Sequence, residues 1–126
     1  MDAPKSHIAH FTDLVAWQEG KCLVITAYAA TGPFPANEQF GLTSQIRRAA
    51  VSVPANIAEG FARRTSKDKR GFYQTALASL SELESHFLIA HELGFLKSDL
   101  LRELNVQTDR VGKLLTGLLR SAIDRT

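Results

Sequence analysis

The chain has 126 residues, a formal net charge of +2 and one cysteine. That length suits one domain, able to bury roughly two thirds of its unfolded surface without disulfides or metal. No segment approaches the ~18 consecutive apolar residues of a membrane span, and no basic region leads into a long apolar run at the amino end, so the cytoplasm is the expected compartment.

Residues 1–12 show no sustained period and are expected to form a loosely held arm ahead of a helical domain over 13–126. A first helix is predicted from Asp13, or capped by Thr12, to about Thr31, burying Leu14, Trp17, Val24, Ile25 and Tyr28. Cys22 sits among apolar residues and reads as a buried structural thiol. Lys21 falls within the predicted stripe, where its stem can snorkel past the core edge or its ammonium can pair with Glu84. Gly20 costs about 1 kcal/mol relative to alanine inside a helix, so it is expected to mark a close contact. Gly32-Pro33-Phe34-Pro35 ends the helix, because each proline turns its preceding residue away from helical angles, and Phe34 then plugs the end of the core.

Asn37 is the candidate cap of a second helix that starts near Glu38 or after Gly41 and frays near Arg64. Leu42, Ile46, Ala49, Val53, Ile57 and Phe61 follow three or four apart, the spacing of a buried stripe. Asn56 lies almost on that line, and an unsatisfied buried amide costs about 1 to 3 kcal/mol. Beside it, Ser52 can reach Asn56 and Glu59 can bond Arg63 at i+4. With Glu84 as the partner expected for Arg48, the residues Arg48, Ser52, Asn56, Glu59 and Glu84 are predicted to form a polar network that locks helix register. A solvated rim position is the alternative for Glu84.

The opposite side of this helix carries Val51, Pro54, Ala58 and Ala62, small or apolar residues where a monomer would place charge. This second face is predicted to pack against another copy of the chain. Pro54 lacks an N–H and crowds the carbonyl of Ala50, so a kink or loosening is expected there. Charge is also uneven. From Arg47 to Arg70 there are seven basic residues, Arg47, Arg48, Arg63, Arg64, Lys67, Lys69 and Arg70, against Glu59 and Asp68, while Ser81 to Leu96 holds Glu82, Glu84 and Glu92 with no lysine or arginine. Such asymmetry can steer an anionic partner, and a solvated junction between helices is the structural alternative.

Thr65 or Ser66 caps a third helix with Asp68 in its first turn, a stripe of Phe72, Ala76, Ser79, Leu80, Leu83, Phe87 and Ala90, and Gly94 as its stop. Ser98 is the candidate cap of a fourth, whose leucines and valine at positions 100, 104, 111, 114, 115 and 118 form its apolar face. No strand alternation is present. The predicted fold is all-α, an antiparallel up-down-up-down four-helix bundle assembling as a ring-like homo-oligomer. No Glu-x-x-His pair, glycine-rich phosphate loop, Gly-x-Ser-x-Gly elbow or cysteine cluster occurs, so neither a metal, a cofactor nor an enzymatic activity is expected.

Phe11, Asp13, Leu14, Trp17 and Gln18, then Tyr28, Thr31, Phe34, Pro35, Glu38 and Gly41-Leu42, lead into the dense run SQIRRAAVSVPANIAEG from Ser44 to Gly60. Arg63, Phe72, Ala76, Ser79, Leu80, Glu82, Leu83 and Glu84 continue the pattern. In this order the chain resembles the small four-helix bundle proteins also called 23S rRNA intervening sequence proteins. Gly20 and Lys21 depart from it, standing where the family favours alanine and an apolar residue. Proteins of this kind are similar to the accessory protein of diversity-generating retroelements, a barrel of five bundles that binds nucleic acid and a reverse transcriptase. The resemblance therefore implies a homopentamer. The leading expectation is a non-enzymatic assembly that binds structured RNA or another nucleic acid through the seven basic residues. The alternative is a protein-interaction scaffold or adaptor, and an enzyme ranks third, with only Glu59 and Glu84 near arginines as acid or base candidates.

Overall fold

The computed structural model describes residues 8–123, and its regular structure there is entirely helical. Four helices form: α1 (Val15–Thr31), α2 (Leu42–Ala62), α3 (Ser66–Glu92) and α4 (Ser98–Ser121), with 3-10 turns at Phe11–Asp13 and Ala36–Glu38. Local chemistry sets most boundaries. Thr65 stays extended and its hydroxyl accepts the Asp68 N–H at 3.1 Å, which starts α3. Gly94, at φ 82°, takes the left-handed turn that glycine favours, and the N–H groups of Gly94 and Phe95 donate to His91 O and Ala90 O at 3.0 and 2.9 Å.

Two predicted caps are replaced by neighbours. Asn37 lies inside a 3-10 turn, and Glu38 instead accepts the Leu42 N–H at 3.0 Å, so α2 begins after Gly41. Ser98 is already the first residue of α4, its hydroxyl 3.0 Å from His91 Nε2, while the Asp99 carboxylate accepts the Leu100 N–H at 2.8 Å.

Each helix packs on two others, α1 on α2, α2 on α3, α3 on α4 and α4 on α1, and no diagonal pair comes as close among the described residues. The result is a four-helix bundle around one core. Leu23, Ile46, Val53, Ile57, Leu83, Phe87, Leu104, Val111 and Leu115 are fully buried in it. On α2 the predicted stripe is the buried one, with Leu42 and Phe61 half-buried at its ends. On α3 Tyr73 goes deeper than Phe72, and Thr108 joins the buried line of α4.

The predicted stripe of α1 is corrected. Its buried line is Ala16, Gly20, Leu23, Ala27, Ala30 and Thr31, whereas Ile25 and Tyr28 are exposed and Leu14, Trp17 and Val24 only half-buried. Apolar residues surround α1 on several sides, so steric fit rather than hydropathy selects the inward face. Its small residues let α2 approach until a Cβ added at Gly20 would sit 3.4 Å from Pro54 Cβ. Rotating the inward face carries Cys22 to the surface, against the expected burial. Lys21 is likewise exposed, its ammonium 5.5 Å from the Trp17 ring centroid in a cation–π contact.

Of the predicted N-terminal arm, only residues 8–12 are described. Phe11 meets Trp17 edge-on at 5.2 Å, and the Gln18 amide donates to Thr12 O at 2.8 Å, which ties this end to α1.

Candidate nucleic-acid interface

Helix C-termini leave backbone carbonyls without intrahelical partners and carry partial negative charge. Three of the seven basic candidates answer that need. Arg47 donates to Thr31 Oγ1 at 2.9 Å and to Tyr28 O at 3.4 Å at the end of α1, with its guanidinium 4.5 Å from the Tyr28 ring centroid. Lys69 donates to Phe61 O at 2.7 Å at the end of α2. Arg70 donates to Ala122 O at 3.1 Å, just past the end of α4. These three cations are engaged with helix ends of their own bundle.

The other four are exposed. Arg63 and Arg64 lie in the connection between α2 and α3, and Lys67 lies in the first turn of α3. Arg63 bonds Glu59 at 2.7 Å and lies 4.6 Å from the Phe72 ring centroid, which orients its guanidinium on a half-exposed surface. Arg64 and Lys67 make no hydrogen bond or ion pair among the described residues. Arg48 stands apart, 15 positions before Arg63, which is roughly 22 Å along a helix. The predicted basic run thus divides into structural cations, one compact exposed trio, and Arg48. The bond from Arg70 to Ala122 also brings exposed Arg120, in the last turn of α4, to the same end of the bundle. Arg120 was missed because its place depends on which helix ends adjoin.

The predicted polar network is also divided. Asn56 Nδ2 donates to Ser52 O at 2.8 Å and to Ser52 Oγ at 3.0 Å, and Ser52 Oγ is 2.8 Å from Ser79 Oγ. This cluster ties α2 to α3. Glu59 forms its separate surface pair with Arg63. Arg48 and Glu84 do not meet: Arg48 lines a groove with Tyr28, Phe40 and Val51, and Glu84 lines another with Ser81, Thr108 and Asp109. Glu84 follows Ser79 by five residues, which turns it about 140° around α3, onto the flank facing α4.

Of the proposed contact residues on α2, Val51 and Ala62 are exposed and Ala58 is half-buried. Pro54 is corrected: it is buried within its own bundle, because it turns from fully buried Val53 onto the α1 flank, against Gly20. Sequence reading also missed Phe40, which projects from the connection between α1 and α2 with 90% of its surface exposed. Burial between α2 and α3 pushes the Tyr73 phenol above its ordinary pKa. Among the described residues no three His, Cys, Asp or Glu side chains are grouped to hold a metal, and no helix is long and apolar enough to cross a membrane.

These features define a small four-helix bundle with a polar seam between two helices and a basic turn at one end. The sequence profile of 23S rRNA-intervening sequence proteins matches residues 12–117, and the chain belongs to that family. The bundle is similar to the 1.70 Å crystal structure of a protein of unknown function from the S23 ribosomal protein family of Bacteroides thetaiotaomicron VPI-5482. The TM-score is 0.74 at 21% identity, covering 84% of this chain and 99% of the other, a likeness of fold. No curated protein matches the chain.

Proposed function

We propose that the protein is a non-enzymatic, cytoplasmic homo-oligomer that binds structured RNA or another nucleic acid through phosphate contacts from Arg63, Arg64 and Lys67. The observation that carries this reading is the exposed trio itself, three cations within five positions at one end of the bundle. Assembly multiplies this patch. Five copies is the number implied by the resemblance to retroelement accessory proteins. The bonds from Arg47 to Thr31 and from Arg70 to Ala122 each join the start of one helix to the end of a neighbour, supporting an antiparallel up-down-up-down order.

A labelled structured RNA, titrated with wild type and with a variant carrying Arg63→Gln, Arg64→Gln and Lys67→Gln, tests the reading. Affinity is expected to fall about tenfold or more regardless of RNA sequence, as loss of phosphate contacts requires. Unchanged affinity contradicts it. Exposed Phe40 favours a second reading, a protein-interaction scaffold, whose signature is a stable protein partner recovered without nucleic acid.

A further inference from the structure

Two surfaces of the bundle expose large apolar side chains and carry opposite charge. The first spans α1 and α2, where Tyr28, Phe40, Arg48 and Val51 line a groove of about 640 Å³, and exposed Lys21 and Ile25 extend it along α1. Beyond Val51 the exposed side chains of α2 are Ala55, Glu59 and Ala62; Glu59 is neutralised by its pair with Arg63, and the two alanines leave room for another helix to lie alongside. The second surface is the outer line of α3. Its core line runs through Leu80, Leu83, Phe87 and Ala90; away from it Ile89 and, just past the helix end, Leu93 remain 47% and 56% exposed beside Glu82 and Glu92.

We propose that the α1–α2 face of one copy receives the outer α3 line of the next, in a head-to-tail contact; this rests on the homo-oligomer reading above and names its surfaces. Either face packed on its own equivalent would bring like charges together, Lys21 and Arg48 in one case and Glu82 and Glu92 in the other. Joining the two different faces pairs opposite charges and removes both apolar sets from water. The contact is heterologous, so every copy keeps one face of each kind to offer, and the series closes into a ring where the rotation allows.

Complementation between two variants tests this pairing. Arg48→Glu with Val51→Glu breaks the first face, and Ile89→Asn with Leu93→Asn breaks the second; all four positions are at the surface, and circular dichroism checks that both variants fold. Native mass spectrometry is expected to show wild type as a multimer and each variant alone at the monomer mass of 13.9 kDa. A one-to-one mixture is expected to give a dimer and nothing larger, because only one intact face of each kind remains to be joined. A wild-type multimer with both variants assembling as wild type does overturns the pairing and leaves the oligomer reading standing. Monomeric variants that stay monomeric when mixed also overturn it. A monomeric wild type removes the oligomer reading itself.

Discussion

A methyl group on Gly60 would stand 2.6 Å from Cε1 and 2.9 Å from Cδ1 of Tyr73, so the last turn of α2 crosses the aromatic ring with bare backbone. The ring is rigid and buried, and it cannot yield cheaply. Gly60→Ala is therefore expected to destabilise the bundle by about 1 to 3 kcal/mol, the cost of overpacking. The same change at Gly20 has the opposite expectation: its Cβ would make an ordinary 3.4 Å contact with Pro54, and alanine is worth up to about 1 kcal/mol more than glycine in a helix. Thermal melts of the two variants, one below wild type and the other level or above, check the contrast.

The Ser52 hydroxyl is shared between Asn56 and Ser79, so the two serines are expected to act as a unit. Ser52→Ala or Ser79→Ala should each cost about 1 kcal/mol. The double variant should cost less than the sum by at least about 0.5 kcal/mol, as groups in one hydrogen-bonded cluster do. Urea denaturation of the four proteins measures that coupling, and additive losses would show that the seam is not cooperative.

Basic residues close together in sequence are expected to separate by assay. Arg70→Ala removes the cation bound to Ala122 O and should lower stability by about 1 kcal/mol while leaving nucleic-acid affinity near wild type. Arg64→Gln and Lys67→Gln should leave the melting temperature unchanged and weaken binding. Paired melting and binding measurements on these variants test the division into structural and exposed cations.

Tyr73 gives a signature at high pH. Burial raises its pKa in the folded state above the unfolded value near about 10. As pH rises past that value, the unfolded chain releases the proton first, so stability present below it is lost up to the folded pKa. Wild type should lose stability above about pH 10 more steeply than Tyr73→Phe, whose ring keeps the packing and has no proton to release. Parallel slopes for the two proteins would contradict this.

Punctuation was legible in the sequence because it is local: Thr65 starts α3, Gly94 ends it, and the prolines at Pro33 and Pro35 end α1. The buried line of α2 was legible because Arg48, Ser52, Asn56 and Glu59 mark one edge of it. The line of α1 was not, since its apolar residues point several ways and the inward choice falls on small residues, Ala16, Gly20, Ala27 and Ala30, around Leu23. In the candidate site, Ser52 with Asn56 could be read from i+4 spacing, whereas Ser79, 27 positions further on, needed the packing of α3 on α2. The basic run was visible as a run. Its division was hidden, because Arg47, Lys69 and Arg70 are set apart only by which helix end lies beside each. Arg48 was assigned to Glu84 for the same want of a third dimension.

The most direct test of the central claim is the affinity of the protein for a labelled structured RNA across a salt series. Binding at micromolar or tighter affinity in low salt is expected, with the logarithm of the association constant falling linearly against the logarithm of salt concentration, by the number of phosphates neutralised. That slope should flatten when Arg63, Arg64 and Lys67 become glutamine. No binding at low salt, or an affinity indifferent to salt, would contradict the claim and favour the scaffold.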